Sequence, residues 1–323
     1  MGAGWSSTWH GVSLHVSQSL PRGLSTLAEE MAEKVSSGKI WEQLESIKAA
    51  TVALIFDPPK ELAVKPQVYT GFVINLSGRL FWLTAAHVVE YVAQWVETYP
   101  AGKLFLRTMN GNANDVTKFR FDRSFAFELD KVIEQGISEG RFTVSSDQID
   151  PALLAKMDVG FMCLAGVYEQ NLLKTGLKPL SMETLSWPTE GDVDISEEPE
   201  PRQAKLFVCG IPSSTITEGE YIGNYQFEWK PLEIGEPNWD SPKREFPPLW
   251  PSEQHVGSIE GMSGGPIVLA GLDVPHVVAI QGSQLIAGNA RPSKLFAWDI
   301  QIVVQMLNAA ESALVTSTPA CEP

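Results

Sequence analysis

A chain of 323 residues, 44% hydrophobic and 20% charged, is long enough for one large or two small domains with real cores, which excludes a disordered or fibrous chain. Its 24 Lys and Arg against 39 Asp and Glu leave a formal charge of −15, which repels nucleic acid and anionic lipid and sets both aside as partners. Three cysteines make no disulfide framework, the N-terminus has no basic start followed by an apolar core, and no apolar run reaches ~18 residues, so the expectation is a cytoplasmic protein without a membrane span.

Residues 1 to about 23 are polar and aperiodic, as in a flexible arm. From Leu24 to Lys48 the apolar spacing turns helical. Leu24, Leu27, Ala28 and Met31 form one stripe; Ile40, Trp41, Leu44 and Ile47 form another after a Ser-Ser-Gly break. These helices either pack on the main domain or offer residues 24–48 as a handle for a regulatory protein partner. From Thr51 the pattern is strand-like. The runs TVALIF, QVYTGFVI, LFWLTA, KLFLRT, FRF and SFAFEL, then VGFMCLAG, KLFVCG, EYIGNYQFEW, GPIVLAG, HVVAIQG and KLFAW, alternate with turn residues. Many short strands and few long helices predict an all-β, antiparallel barrel or sandwich. Residues 109–150 and the acidic stretch 186–204 read as insertions between strands. Asp192 and Asp194 lack the Gly and distal Glu of a calcium loop, so no metal site is expected. A last amphipathic helix carries Ile300, Val303, Val304 and Leu307.

Three short blocks carry chemistry. In Gly261-Met262-Ser263-Gly264-Gly265-Pro266 a serine lies on a glycine-rich turn leading into an apolar run. Amide hydrolysis needs such an exposed hydroxyl, with backbone N–H groups free to meet a developing oxyanion; here Gly261 and Ser263 would supply them. In Leu83-Thr84-Ala85-Ala86-His87 a histidine follows a strand end, where its ring can face a cleft. In Lys156-Met157-Asp158-Val159-Gly160 a carboxylate opens an apolar strand and could accept the histidine Nδ1–H. Each block alone is a common structural feature, whereas the order His, Asp, Ser is one of the known chain orders of a catalytic triad.

TAAHVV, MDVGFMCL and GMSGGPIV resemble the three signature blocks of trypsin/chymotrypsin-like serine peptidases, in particular their bacterial, non-zymogen branch. Gly71-Phe72-Val73, Val208-Cys209-Gly210-Ile211-Pro212 and LFAW followed by a helix also resemble family features in the same order, so the resemblance spans about residues 50–310. It implies two packed six-stranded antiparallel β-barrels with an N-terminal helical extension and a C-terminal helix. The implied divisions are 1–48 for the arm and helices, 49–178 for the first barrel, 179–298 for the second, and 299–323 for the last helix and tail. It implies a serine endopeptidase acting on a protein or peptide substrate through His87, Asp158 and Ser263, with no cofactor and no metal. It also implies a substrate pocket walled by Gly257, Ser258 and Glu260 on one side and Ile280, Gln281 and Gly282 on the other.

Two departures bear on the reading. Met262 stands where many members have the Asp that pairs with a freed N-terminus, so that activation route is closed and gating by a partner or oligomer is expected instead. The insertions lengthen the spacings on both sides of Asp158, to His87 and to Ser263, leaving Asp147 and Asp150 as fallback acids, though neither opens an apolar strand. Neither Cys163 nor Cys209 sits on a glycine-rich turn, which argues against a cysteine nucleophile. The alternative is a catalytically idle protease-like scaffold that binds a peptide or protein partner.

Overall fold

The computed structural model describes residues 37–62, 64–111, 115–138, 157–164, 166–188, 204–218, 225–238, 243–247, 260–287, 291–305 and 307–308. The first described element is helix α1 over residues 37–50. Its stripe Ile40, Leu44, Ile47 and Ala50 is buried in the largest core cluster, together with Phe72, Phe161, Cys209, Ile280 and Trp298. Burying a large aliphatic side chain is worth about 1.5–3 kcal/mol, so α1 is part of the body of the protein. Of the second stripe expected from the sequence, only Trp41 stays exposed, at 56%. Residues 24–36, the rest of the expected handle, lie outside the described residues.

The chain then forms β1 (Thr51–Asp57), β2 (Gln67–Leu76) and β3 (Arg79–Thr84), followed by helix α2 (Ala86–Thr98). After α2 come β4 (Lys103–Thr108), β5 (Thr117–Phe119), β6 (Ala126–Glu128), helix α3 (Leu129–Ser138), β7 (Gly160–Cys163) and helix α4 (Gly166–Lys174). These seven strands make one antiparallel sheet in the order β5-β4-β1-β2-β3-β7-β6. Six strands were expected. The stretch 109–150, read as an insertion, supplies the two edge strands β5 and β6; β6 lies within the strand-like run SFAFEL, and β5 ends where the run FRF begins. They are only three residues long and carry a weak pattern. Helix α2 buries Ala86, Val88, Val89 and Val92 against this sheet. Glu128 at the end of β6 is buried but held by Arg123 and Lys131.

A second antiparallel sheet of six strands follows the order β11-β8-β13-β14-β15-β12. Its strands are β8 (Lys205–Gly210), β11 (Lys230–Ile234), β12 (Lys243–Phe246), β13 (Pro266–Ala270), β14 (His276–Ala287) and β15 (Arg291–Asp299). The short pair β9 (Thr217–Glu218) and β10 (Tyr225–Gln226) stands apart from it. A helix begins at residue 300, and Ile300, Val303 and Leu307 return to the same core as α1. The fold is thus mostly β, two antiparallel sheets with a helix at each end, the arrangement of a chymotrypsin-like protein.

The sheets are tied by polar links as well as apolar packing. Gln43 of α1 is nearly buried, and its amide grips the β13–β14 turn twice. Nε2 donates to the Leu272 carbonyl at 2.6 Å, and Oε1 accepts from the Gly271 N–H at 2.7 Å. Tyr225 Oη donates to buried Asp57 at 2.7 Å. Among the described residues no helix is long and apolar enough to cross a membrane.

Candidate active site

His87 is the second residue of α2, immediately beyond the end of β3. A helix begins with N–H groups that have no intrahelical acceptor. The residue at the cap, Ala85, has no side chain to satisfy them, and the first turn contains no acid. Asp158, two residues before β7, does so from another part of the chain. Its Oδ1 accepts the His87 backbone N–H at 3.0 Å, and the Ala86 N–H also faces the carboxylate. The same carboxylate meets the imidazole, with Nδ1 at 2.8 Å from Oδ2 and 3.0 Å from Oδ1. Burial pushes the Asp158 carboxyl up, but the His87 ring and the two helix N–H groups outweigh it and hold the group below its ordinary pKa. Gly282 of β14 lies behind this carboxylate: a Cβ there would be 3.2 Å from Asp158 Oδ2.

Ser263 comes from the second sheet, on the turn that enters β13. Gly261 and Gly264 on either side have φ of +90° and +87°, a conformation that favours glycine. The turn is sewn to its own sheet by Gly264 N–H to the Gln281 carbonyl (2.7 Å), Gly265 N–H to the Met262 carbonyl (2.8 Å) and Gln281 N–H to the Gly265 carbonyl (3.0 Å). No backbone hydrogen bond among the described residues uses the N–H of Gly261 or Ser263. Met262 is fully buried among Val208, Ile267 and Val278, so an apolar contact anchors the turn.

His87 and Ser263 line one cleft of about 570 Å³, together with Glu260, Gly261 and Ser213. Among the described residues no hydrogen bond joins the Ser263 hydroxyl to the His87 ring. The far wall is aromatic. Tyr91 packs edge-on to the His87 ring with centroids 5.6 Å apart. Tyr69, Trp95 and Tyr99 continue the wall, with Trp95 Nε1 donating to Tyr69 Oη at 2.9 Å. Burial pushes the Tyr69 phenol up to about 12, so it stays protonated at neutral pH.

The structure therefore brings together His87, Asp158, Ser263, Gly261 and Glu260. Ile280 and Gln281 are buried, and Gly282 backs Asp158; none of the three lines this cleft. Gly257, Ser258, Asp147 and Asp150 lie outside the described residues, as do Asp192 and Asp194. Cys209 is fully buried and its thiol is pushed up, far from a reactive thiolate. Among the described residues no group of three or more His, Cys, Asp or Glu could hold a metal ion. The aromatic wall and the roles of Thr70 and Ser213, taken up below, had no signal in the sequence beyond their apolar or polar character.

Two antiparallel sheets thus meet over a cleft, with His87 and Asp158 from one side and the glycine-flanked Ser263 from the other. Solved structures with a similar outline include the Rv3671c protease of M. tuberculosis in its active form. It is 17% identical, with a TM-score of 0.38 and 82% of each chain covered. Another is the thermostable serine protease AL20 from an extremophilic microorganism, 12% identical with a TM-score of 0.41, covering 83% of this chain and 99% of that one. No protein-family model and no curated protein matches the chain.

Proposed function

We propose that the protein is a serine endopeptidase with His87, Asp158 and Ser263 as its triad. The observation that carries this reading is the doubly bonded His87–Asp158 pair opening onto the cleft that Ser263 shares. Asp158 holds the proton on Nδ1, leaving Nε2 free to take the Ser263 hydroxyl proton as Oγ attacks the scissile carbonyl. The tetrahedral oxyanion is met by the N–H groups of Gly261 and Ser263. Collapse passes the proton from His87 to the leaving amine, and water resolves the acyl-enzyme by the same route. The buried Met262 supports a peptidase that needs no charge-pair activation, and restraint by a partner or oligomer is part of the same reading.

The test is to treat the full-length protein and a Ser263→Ala variant with an alkyl fluorophosphonate and weigh the intact products. One adduct on the wild type and none on the variant is the expected result. No adduct on either would replace the peptidase reading with that of a binding scaffold.

A further inference from the structure

Two hydroxyl side chains outside the triad converge on the turn that carries Ser263. Thr70, fully buried in β2 of the first sheet, reaches across to the second. Its Oγ1 accepts the Ile211 N–H at 3.0 Å and donates to the Gly261 carbonyl at 2.7 Å. Its own carbonyl accepts the Thr84 hydroxyl at 2.8 Å. Thr84 ends β3, just ahead of His87, and its Oγ1 fills the space beside Gly264: a Cβ there would be 2.2 Å from it. From the other side Ser213 donates both its backbone N–H, at 2.6 Å, and its Oγ, at 2.7 Å, to the Glu260 carbonyl.

These bonds fix two successive peptide planes. A trans peptide is flat, with its C=O and N–H pointing in opposite directions. Holding the Glu260 carbonyl on Ser213 therefore sends the Gly261 N–H the other way. Holding the Gly261 carbonyl on Thr70 fixes the next plane. Between the planes stands Gly261 itself, whose torsional freedom would otherwise let the 260–261 peptide turn over and offer a carbonyl where a donor is needed. We propose that Thr70 and Ser213 are positioning residues that lock the peptides flanking Gly261, so that the Gly261 N–H is held as an oxyanion donor before substrate arrives. This rests on the peptidase reading. It gives Thr70 a second part, because its carbonyl holds the Thr84 hydroxyl at the end of the strand before His87 while its own hydroxyl holds the turn of Ser263.

The experiment compares fluorophosphonate labelling rates of full-length wild type, Thr70→Val, Thr70→Ser and Ser213→Ala across pH, with thermal melting of each. Losing a properly held oxyanion donor costs on the order of 10²–10³-fold, so Thr70→Val should label slower by about that factor and Thr70→Ser should recover the rate. Ser213→Ala keeps its backbone donor and should slow labelling by about tenfold, the worth of one hydrogen bond. The pH midpoint of labelling should stay in place in all three, since none of them removes a bond of the His87–Asp158 pair. A folded Thr70→Val that labels at the wild-type rate overturns the proposal, as does a Thr70→Ser as slow as the valine, or a slow variant whose pH midpoint has moved. If Thr70→Val fails to fold, Thr70→Ser and Ser213→Ala decide the matter, and wild-type rate in the latter overturns the lock. An unlabelled wild type would sink the peptidase reading itself, a result distinct from a labelled wild type with indifferent variants.

Discussion

Asp158 does two jobs with one carboxylate, and two substitutions can separate them. It caps α2 in trans and orients His87. In Asp158→Asn the remaining side-chain oxygen can still accept the backbone N–H of His87. The amide nitrogen then takes the place of Oδ2, 2.8 Å from Nδ1. That nitrogen donates, so it forces Nδ1 to accept and moves the imidazole proton to Nε2, where it blocks the base. The expected outcome is a fall in Ser263 labelling of about 10⁴-fold with a stability change below about 1 kcal/mol. Asp158→Ala should lose as much activity and, in addition, the cap, at about 1–2 kcal/mol. Urea unfolding followed by tryptophan fluorescence reads the stability, and intact mass against time reads the labelling. An Asn variant as unstable as the Ala variant would refute the capping argument. An Asn variant labelling within about tenfold of wild type would refute the tautomer argument.

Gln43→Leu should destabilise by about 2–5 kcal/mol, since it strips partners from the buried Leu272 carbonyl and Gly271 N–H; an unchanged urea midpoint would mean α1 is only loosely docked. Gly264→Ala places a methyl group 2.2 Å from Thr84 Oγ1 and 2.6 Å from Thr84 Cα at a φ of +87°. A cost of about 3 kcal/mol or more and loss of labelling are expected, and a wild-type melting temperature would contradict the close contact. Asp158 and Glu128 are both held below their ordinary pKa in the fold. Each therefore contributes stability in full above the ordinary carboxylate range and loses it as pH falls through that range toward the folded values. Urea midpoints taken from pH 7 down to 3 should fall, and less steeply in Asp158→Asn; equal slopes would remove Asp158 from the acid response.

The strand runs around His87 and Ser263 were readable because each combines a strong apolar period with a glycine or small-residue break. Both fell where expected. Asp158 was readable only through the apolar strand that follows it. Helix α2 was not read: Ala86, Val88, Val89 and Val92 keep a helical period, but the β-branched valines suit a strand equally well. The run SFAFEL contains β6, whereas β5 ends at the first residue of FRF, so a three-residue edge strand was readable in existence but not in its bounds. Ile280 and Gln281, assigned to a pocket wall by resemblance, lie buried in β14, and the opposite wall at Gly257 and Ser258 lies outside the described residues. Thr70 sits in a strand run like any other threonine. Its importance comes from Ile211 and Gly261, partners 141 and 191 residues away, which no local pattern can reveal.

The division of the candidate site between two sheets has a bearing on how the chain is made. Domains begin to fold as the N-terminal part of a nascent chain emerges. Strands β1 through β7 use residues 51–163 only, so histidine and carboxylate can be joined while the second sheet is still being synthesised. Ser263, both partners of the Thr70 hydroxyl and both partners of Gln43 come later. Under the peptidase reading a half-made chain would hold a base and its carboxylate with no nucleophile to activate. The ribosome and the emerging polypeptide are then spared by the order of the sequence itself, a form of restraint that needs no inhibitor and no propeptide.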